Sequence, residues 1–117
     1  MQHNYPELTV ELNAKLAEIR KEIPETMKGF SQMAQAASTD AALTPKQKEV
    51  IAIGIGIAAR CQGCLAFHAK ALAKMGCTRA EFMEMIQVSV YMGGGPSLMT
   101  AAEALMAYEA FGGEKAA

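Results

Sequence analysis

Thr44-Pro45-Lys46-Gln47-Lys48-Glu49-Val50-Ile51-Ala52-Ile53-Gly54-Ile55-Gly56-Ile57-Ala58-Ala59, followed at once by Arg60-Cys61-Gln62-Gly63-Cys64-Leu65-Ala66-Phe67-His68, is the stretch that decides the fold of this chain. It opens on a helix start. Thr44 can cap, Pro45 is pre-set for the first helical position, and Gln47 stands where a capping box closes. Past Glu49 the segment is apolar on nearly every side, which predicts a buried helix. The alternation of Ile with small residues is also a strand signal; the Thr-Pro cap and the alanines decide for helix. Gly54 and Gly56 each cost about 1 kcal/mol in a helix interior relative to Ala, so their presence predicts close approach of another backbone.

Cys61, Cys64 and His68 are spaced three and four apart, so on one helix all three share a face. Cys61 falls at the start of that helix, where unpaired N–H groups and the helix dipole favour a thiolate. Cys64 lies one turn inside, within reach of the His68 imidazole, which could take its proton directly or through a water. Thiolates attack peroxides and disulfides, so a base beside one Cys and a second Cys nearby are the parts that this chemistry needs.

An antiparallel hairpin would bring Glu49 to the same place. The midpoint between Glu49 and His68 falls between Ala58 and Ala59, where the chain is expected to turn. Each residue then lies about 15 Å from the turn, and the carboxylate faces the imidazole as the orienting partner of a base. Zinc is the rival. Cys61, Cys64, His68 and Glu49 could supply four ligands, but structural zinc sites draw ligand pairs from separated knuckles or loops, and three of these candidates crowd one helix. Redox chemistry by the pair needs neither metal nor cofactor, and none is assigned.

The remaining punctuation predicts six helices, no strand and one domain over residues 1–117, with 1–6 and 113–117 as flexible ends. Leu8, Leu12, Leu16, Ile19 and Ile23 mark an amphipathic helix from Glu7 to Glu22. Pro24 ends it and starts a second, with a stripe of Met27, Phe30, Met33, Ala34 and Ala37. Ser38-Thr39-Asp40 reads as a loop. The Cys61 helix ends at Met75-Gly76, and Thr78-Arg79-Ala80-Glu81 caps a fifth. Gly93-Gly94-Gly95-Pro96-Ser97 breaks the chain before a last helix, Leu98 to Phe111. Cys77, Tyr91 and Tyr108 read as packing residues, and His3 carries no role.

Composition narrows the function. The 117 residues are 51% apolar, with nine Met and no Trp, and carry a formal charge of −1. Nothing in that balance attracts nucleic acid or an anionic membrane. No apolar run is long enough to span a bilayer, and the start lacks the basic and apolar regions of a signal peptide. A cytoplasmic location is expected, where thiols are mostly reduced and a close Cys pair is catalytic, redox-active or metal-binding. A short chain with so much apolar surface also predicts a homo-oligomer.

Glu49, the Cys61-Gln62-Gly63-Cys64-Leu65-Ala66-Phe67-His68 run, and Tyr91-Met92-Gly93-Gly94-Gly95-Pro96-Ser97-Leu98-Met99 with Ala101-Ala102-Glu103-Ala104-Leu105 resemble the carboxymuconolactone decarboxylase / alkylhydroperoxidase D-like family, over roughly Leu43 to Phe111. The resemblance implies an all-α fold in which a central helical hairpin carries the active site. It implies a dithiol–disulfide cycle in which Cys61 is the more buried, resolving partner. Cys64 is implied to be the more exposed, reactive one, served by a Glu49–His68 proton relay. The helix-end argument alone would have favoured Cys61. The peroxidase members are longer and carry His before the second Cys, where this chain has Gly63. The short members build trimers or hexamers, and the true lactone decarboxylases usually lack the Cys pair.

The expected activity is therefore that of a thiol-dependent oxidoreductase, a peroxidase or disulfide reductase. It would reduce a hydroperoxide or protein disulfide and draw electrons from a lipoyl-bearing or thioredoxin-like dithiol protein. A non-redox decarboxylase and a metal-binding or structural oligomer are the alternatives.

Overall fold

Thr44 and Thr78 start two of the three helices that build the core, and both do so through complete capping boxes. The Thr44 hydroxyl accepts from the Gln47 amide at 3.1 Å while the Gln47 side chain accepts from the Thr44 amide at 2.8 Å. Thr78 and Glu81 repeat the exchange. The computed structural model of the chain describes residues 4–117, so His3 lies outside the described residues. It is all-α in one domain: α1 (Tyr5–Glu22), α2 (Pro24–Ser38), α3 (Pro45–Ala58), α4 (Gln62–Lys74) and α5 (Arg79–Ala110).

Helices α3, α4 and α5 pack on one another. Their shared core is Ile53 and Ile57 from α3, Leu65, Ala66, Ala69 and Leu72 from α4, and Phe82, Met85, Ala101, Ala104, Ala107 and Tyr108 from α5. Between α3 and α4 the chain reverses through Arg60, whose φ of 54° is left-handed, and the Cys61 amide donates back to the Gly56 carbonyl at 3.0 Å. The hairpin expected from the sequence is thus present, and its turn falls where the Glu49–His68 midpoint placed it.

Among the described residues five helices stand where six were expected. The glycine run does break the helical geometry, but only at Gly94, with φ 72° and ψ −156°. Glycine enters that region without a Cβ penalty. Helical geometry resumes at once, so the expected fifth and sixth helices are the two limbs of one kinked α5. The hydroxyl of Thr100 donates to the Pro96 carbonyl at 3.1 Å just past the break.

Both chain ends are tied down further than the sequence suggested. Helix α1 begins at Tyr5, because the Asn4 side chain accepts from the Glu7 amide at 2.9 Å, and Tyr5 is 1% exposed. At the other end, the Tyr108 hydroxyl donates to the Cys77 carbonyl at 2.6 Å and accepts from the Glu114 amide at 3.0 Å. The Glu114 carboxylate accepts from the Arg79 amide. Burial pushes the Tyr108 phenol up from its ordinary range. It does the same to the thiol of Cys77, with the Glu81 carboxylate adding to it, which fits Cys77's buried place as a small packing residue.

The expected burial of α3 holds on one side only: Ile51 and Ile55 are 50% and 64% exposed. No residue of α2 is buried. No helix among the described residues is long and apolar enough to cross a membrane.

Candidate active site

The hairpin sets a carboxylate against an imidazole. Glu49 Oε1 lies 2.6 Å from His68 Nδ1, with the two side chains 18% and 33% exposed. A charge-assisted hydrogen bond of this length fixes the ring's orientation. It also occupies Nδ1, which leaves Nε2 as the nitrogen open to proton exchange.

One turn before His68 on the same helix, Cys64 is joined to Cys61 by a disulfide, with Cα atoms 5.2 Å apart. Cys61 is the N-cap of α4: its backbone is extended, and its Sγ accepts from the Cys64 amide at 3.2 Å. The sulfur thus takes the position that a Ser or Asp oxygen commonly fills. Both cysteines are partly exposed.

Small residues make room for this arrangement. A Cβ on Gly56 would stand 3.2 Å from the Cys64 Cβ, tighter than side chains usually pack. At Gly56 the neighbours are the Cys64 side chain and, on its carbonyl, the Cys61 amide, while Gly54 meets Ser89 only at ordinary contact distance. The hairpin brings Glu49 and His68 together, and the disulfide joins Cys61 to Cys64, one helical turn before His68 on α4. Arg60 is exposed, and Tyr91, at 84% exposure, is not the packing residue expected.

Among the described residues no cluster of three or more His, Cys, Asp or Glu side chains is placed to hold an ion.

Sequence reasoning assigned α1 no part in the site. In the structure its residue Leu12 reaches Gly63, between the two cysteines. Gly63 was the available signal, since a glycine in the first turn of a helix often marks close approach by a neighbouring element.

A carboxymuconolactone decarboxylase family model matches residues 24–107. The chain belongs to the carboxymuconolactone decarboxylase family. The apo-form crystal structure of a member of this family from Legionella pneumophila has 49% sequence identity and a TM-score of 0.91, over 94% of this chain and 98% of that one. An uncharacterised protein of Cupriavidus necator is 30% identical over 110 residues, 88% of this chain and 97% of the relative. A second, described as uncharacterised protein 4 in the cox locus of Paracoccus denitrificans, is 29% identical over 76 residues, 65% and 68% of the two chains. The family match begins at the start of α2, so α1 lies before it.

Proposed function

We propose that the chain is a thiol-dependent oxidoreductase that reduces a hydroperoxide or a protein disulfide through the Cys61–Cys64 couple. The observation that carries this is the 2.6 Å Glu49–His68 contact one helical turn from Cys64. In the reduced protein His68 takes the Cys64 proton, and the thiolate attacks the distal oxygen of the hydroperoxide. The O–O bond breaks, the alkoxide takes the proton back from His68, and Cys64 is left as a sulfenic acid. The Cys61 thiol then attacks that sulfur, the disulfide forms, and water leaves. With a disulfide substrate the same thiolate forms a mixed disulfide that Cys61 resolves.

Reduction runs the other way. A dithiol partner of the lipoyl or thioredoxin-like kind attacks the Cys64 sulfur and releases Cys61 as thiolate, and its own second thiol then frees Cys64. The Cys64 amide and the α4 N-terminus stabilise that leaving group. The helix-end and base-proximity arguments thereby assign different roles to the two sulfurs and no longer compete. Such a cycle operates in a reducing compartment, which fits a cytoplasmic location.

The test is stoichiometric. Reduced protein given one equivalent of hydroperoxide, or of an oxidised protein, is expected to lose two free thiols and gain the internal disulfide. Cys61→Ser is expected to stop at a sulfenic acid or mixed disulfide. Retention of both thiols under these conditions, or catalysis that survives replacement of both cysteines by Ser, would remove the redox reading.

The same reading includes a homo-oligomer, a trimer or hexamer. The chain exposes 7528 Å², about 1,300 Å² more than the roughly 6,200 Å² of a monomer of its mass. One partner's share of a standard interface is about 800 Å². The surplus includes the α2 stripe at Phe30 and Met33. It also includes the α3–α5 groove lined by Ile51, Ile55, Val88 and Met92. Sedimentation equilibrium is expected to give a mass several times that of the 12.5 kDa chain; a monomer at micromolar concentration would refute this.

A further inference from the structure

Helix α1 meets the turn enclosed by the cysteines. Its first residue is anchored, because the Tyr5 hydroxyl donates to Glu103 Oε1 of α5 at 3.4 Å. At Gly63, a Leu12 δ-methyl stands 3.0 Å from the point a Cβ would occupy. Tyr5 and Leu12 are seven residues apart, so they share one face of α1. Tyr5 is also buried to 1% exposure at the very first position of its helix, where chain ends usually fray. From the opposite side, Gly56 of α3 has no room for a side chain beside the Cys64 Cβ, and its carbonyl accepts from the Cys61 amide. The four-residue ring is therefore gripped between α1 and α3.

We propose that the Tyr5–Leu12 face of α1 positions the Cys61–Cys64 turn, holding it in ring-closing geometry in the dithiol state and so setting the reduction potential of the couple. This rests on the oxidoreductase reading. The physical basis is effective concentration. Closing the disulfide expels two electrons and two protons to the oxidant and gains stability with every restriction that keeps one sulfur near the other beforehand. A turn held on both sides has lost that freedom already. A turn freed on the α1 side must lose it on closure. Tyr5 and Leu12 touch neither sulfur nor substrate here, so they are positioning residues.

The test is redox titration of the full-length protein against dithiothreitol, with Leu12→Ala and Tyr5→Phe. Leu12→Ala is expected to lower the equilibrium constant for disulfide closure about tenfold, which makes the couple roughly 30 mV more oxidising. Tyr5→Phe shifts it the same way by a smaller factor. Leu12→Met, which keeps the apolar bulk, restores the wild-type value, and Ile19→Ala, far along α1 and exposed, leaves it unchanged. A purely structural contact would act alike on both redox states: Leu12→Ala would lower the thermal midpoint of the oxidised and reduced proteins equally and leave the potential where it was. That result overturns the positioning role. Failure of the wild-type protein itself to interconvert reversibly would instead refute the oxidoreductase reading, so the two failures are separable.

Discussion

Glu49→Gln is expected to slow attack of the reduced protein on its oxidant by about 10²-fold at neutral pH, a loss within the usual range for acid–base assistance. The substitution keeps the shape of the contact. An amide oxygen can still accept from His68 Nδ1–H at the 2.6 Å position now held by the carboxylate. What it removes is the negative charge set against the ring as the orienting partner of the base, and with it the carboxylate's part in moving the Cys64 proton. His68→Gln removes the acceptor altogether and should cost at least as much. Because Glu49 acts through His68, the double variant should be no slower than His68→Gln alone. The deficit should also shrink as the pH rises toward about 8.5, where a free thiol ionises unaided. Alkylation rates of the reduced protein across that range, in parallel with turnover, check all three statements. Superimposable alkylation profiles for wild type and Glu49→Gln would sink the relay.

The relay was legible because everything that builds it is local or nearly so. A capping box, a helix-long apolar run and a turn near Ala58 fix the hairpin, and 3.6-residue periodicity then delivers Glu49, Cys64 and His68 to one place. Elements whose geometry depends on distant parts of the chain were not legible. The glycine run announced a break at Gly94, but whether a break ends a helix or only kinks it is decided by what its two limbs pack against. Here Phe82 and Met85 on one side and Ala101, Ala104 and Tyr108 on the other enter the same core, so the limbs stay joined. The apolar faces of α2 and α3 looked like core by composition; within one chain they have nothing to cover them. The role of α1 at the Cys turn depends on contacts across 51 positions between Leu12 and Gly63, which no periodicity records.

Phe82→Ala is expected to be the most damaging single core change, at about 3–5 kcal/mol. Phe82 is fully buried, and its ring stacks on Tyr108 with centroids 4.4 Å apart and planes 22° from parallel. Its loss would remove the transfer energy of a large side chain and leave Tyr108 unsupported. Tyr108 in turn holds the Cys77 carbonyl and the Glu114 amide, so the α4–α5 turn and the chain end should loosen together. Against a total stability of roughly 5–15 kcal/mol for a domain, such a loss leaves little margin. Phe82→Leu, which keeps most of the apolar volume, should cost less than half as much. Urea unfolding at a fixed redox state measures both, and a Phe82→Ala cost below about 1 kcal/mol would contradict the packing described. The change lies past the C-terminal end of α4, whereas the disulfide lies at its N-terminal end. The folded fraction of Phe82→Ala should therefore keep the alkylation profile of the wild type. Stability loss with an intact profile, set beside an intact fold with a shifted profile in Glu49→Gln, separates what holds this chain together from what makes its sulfurs react.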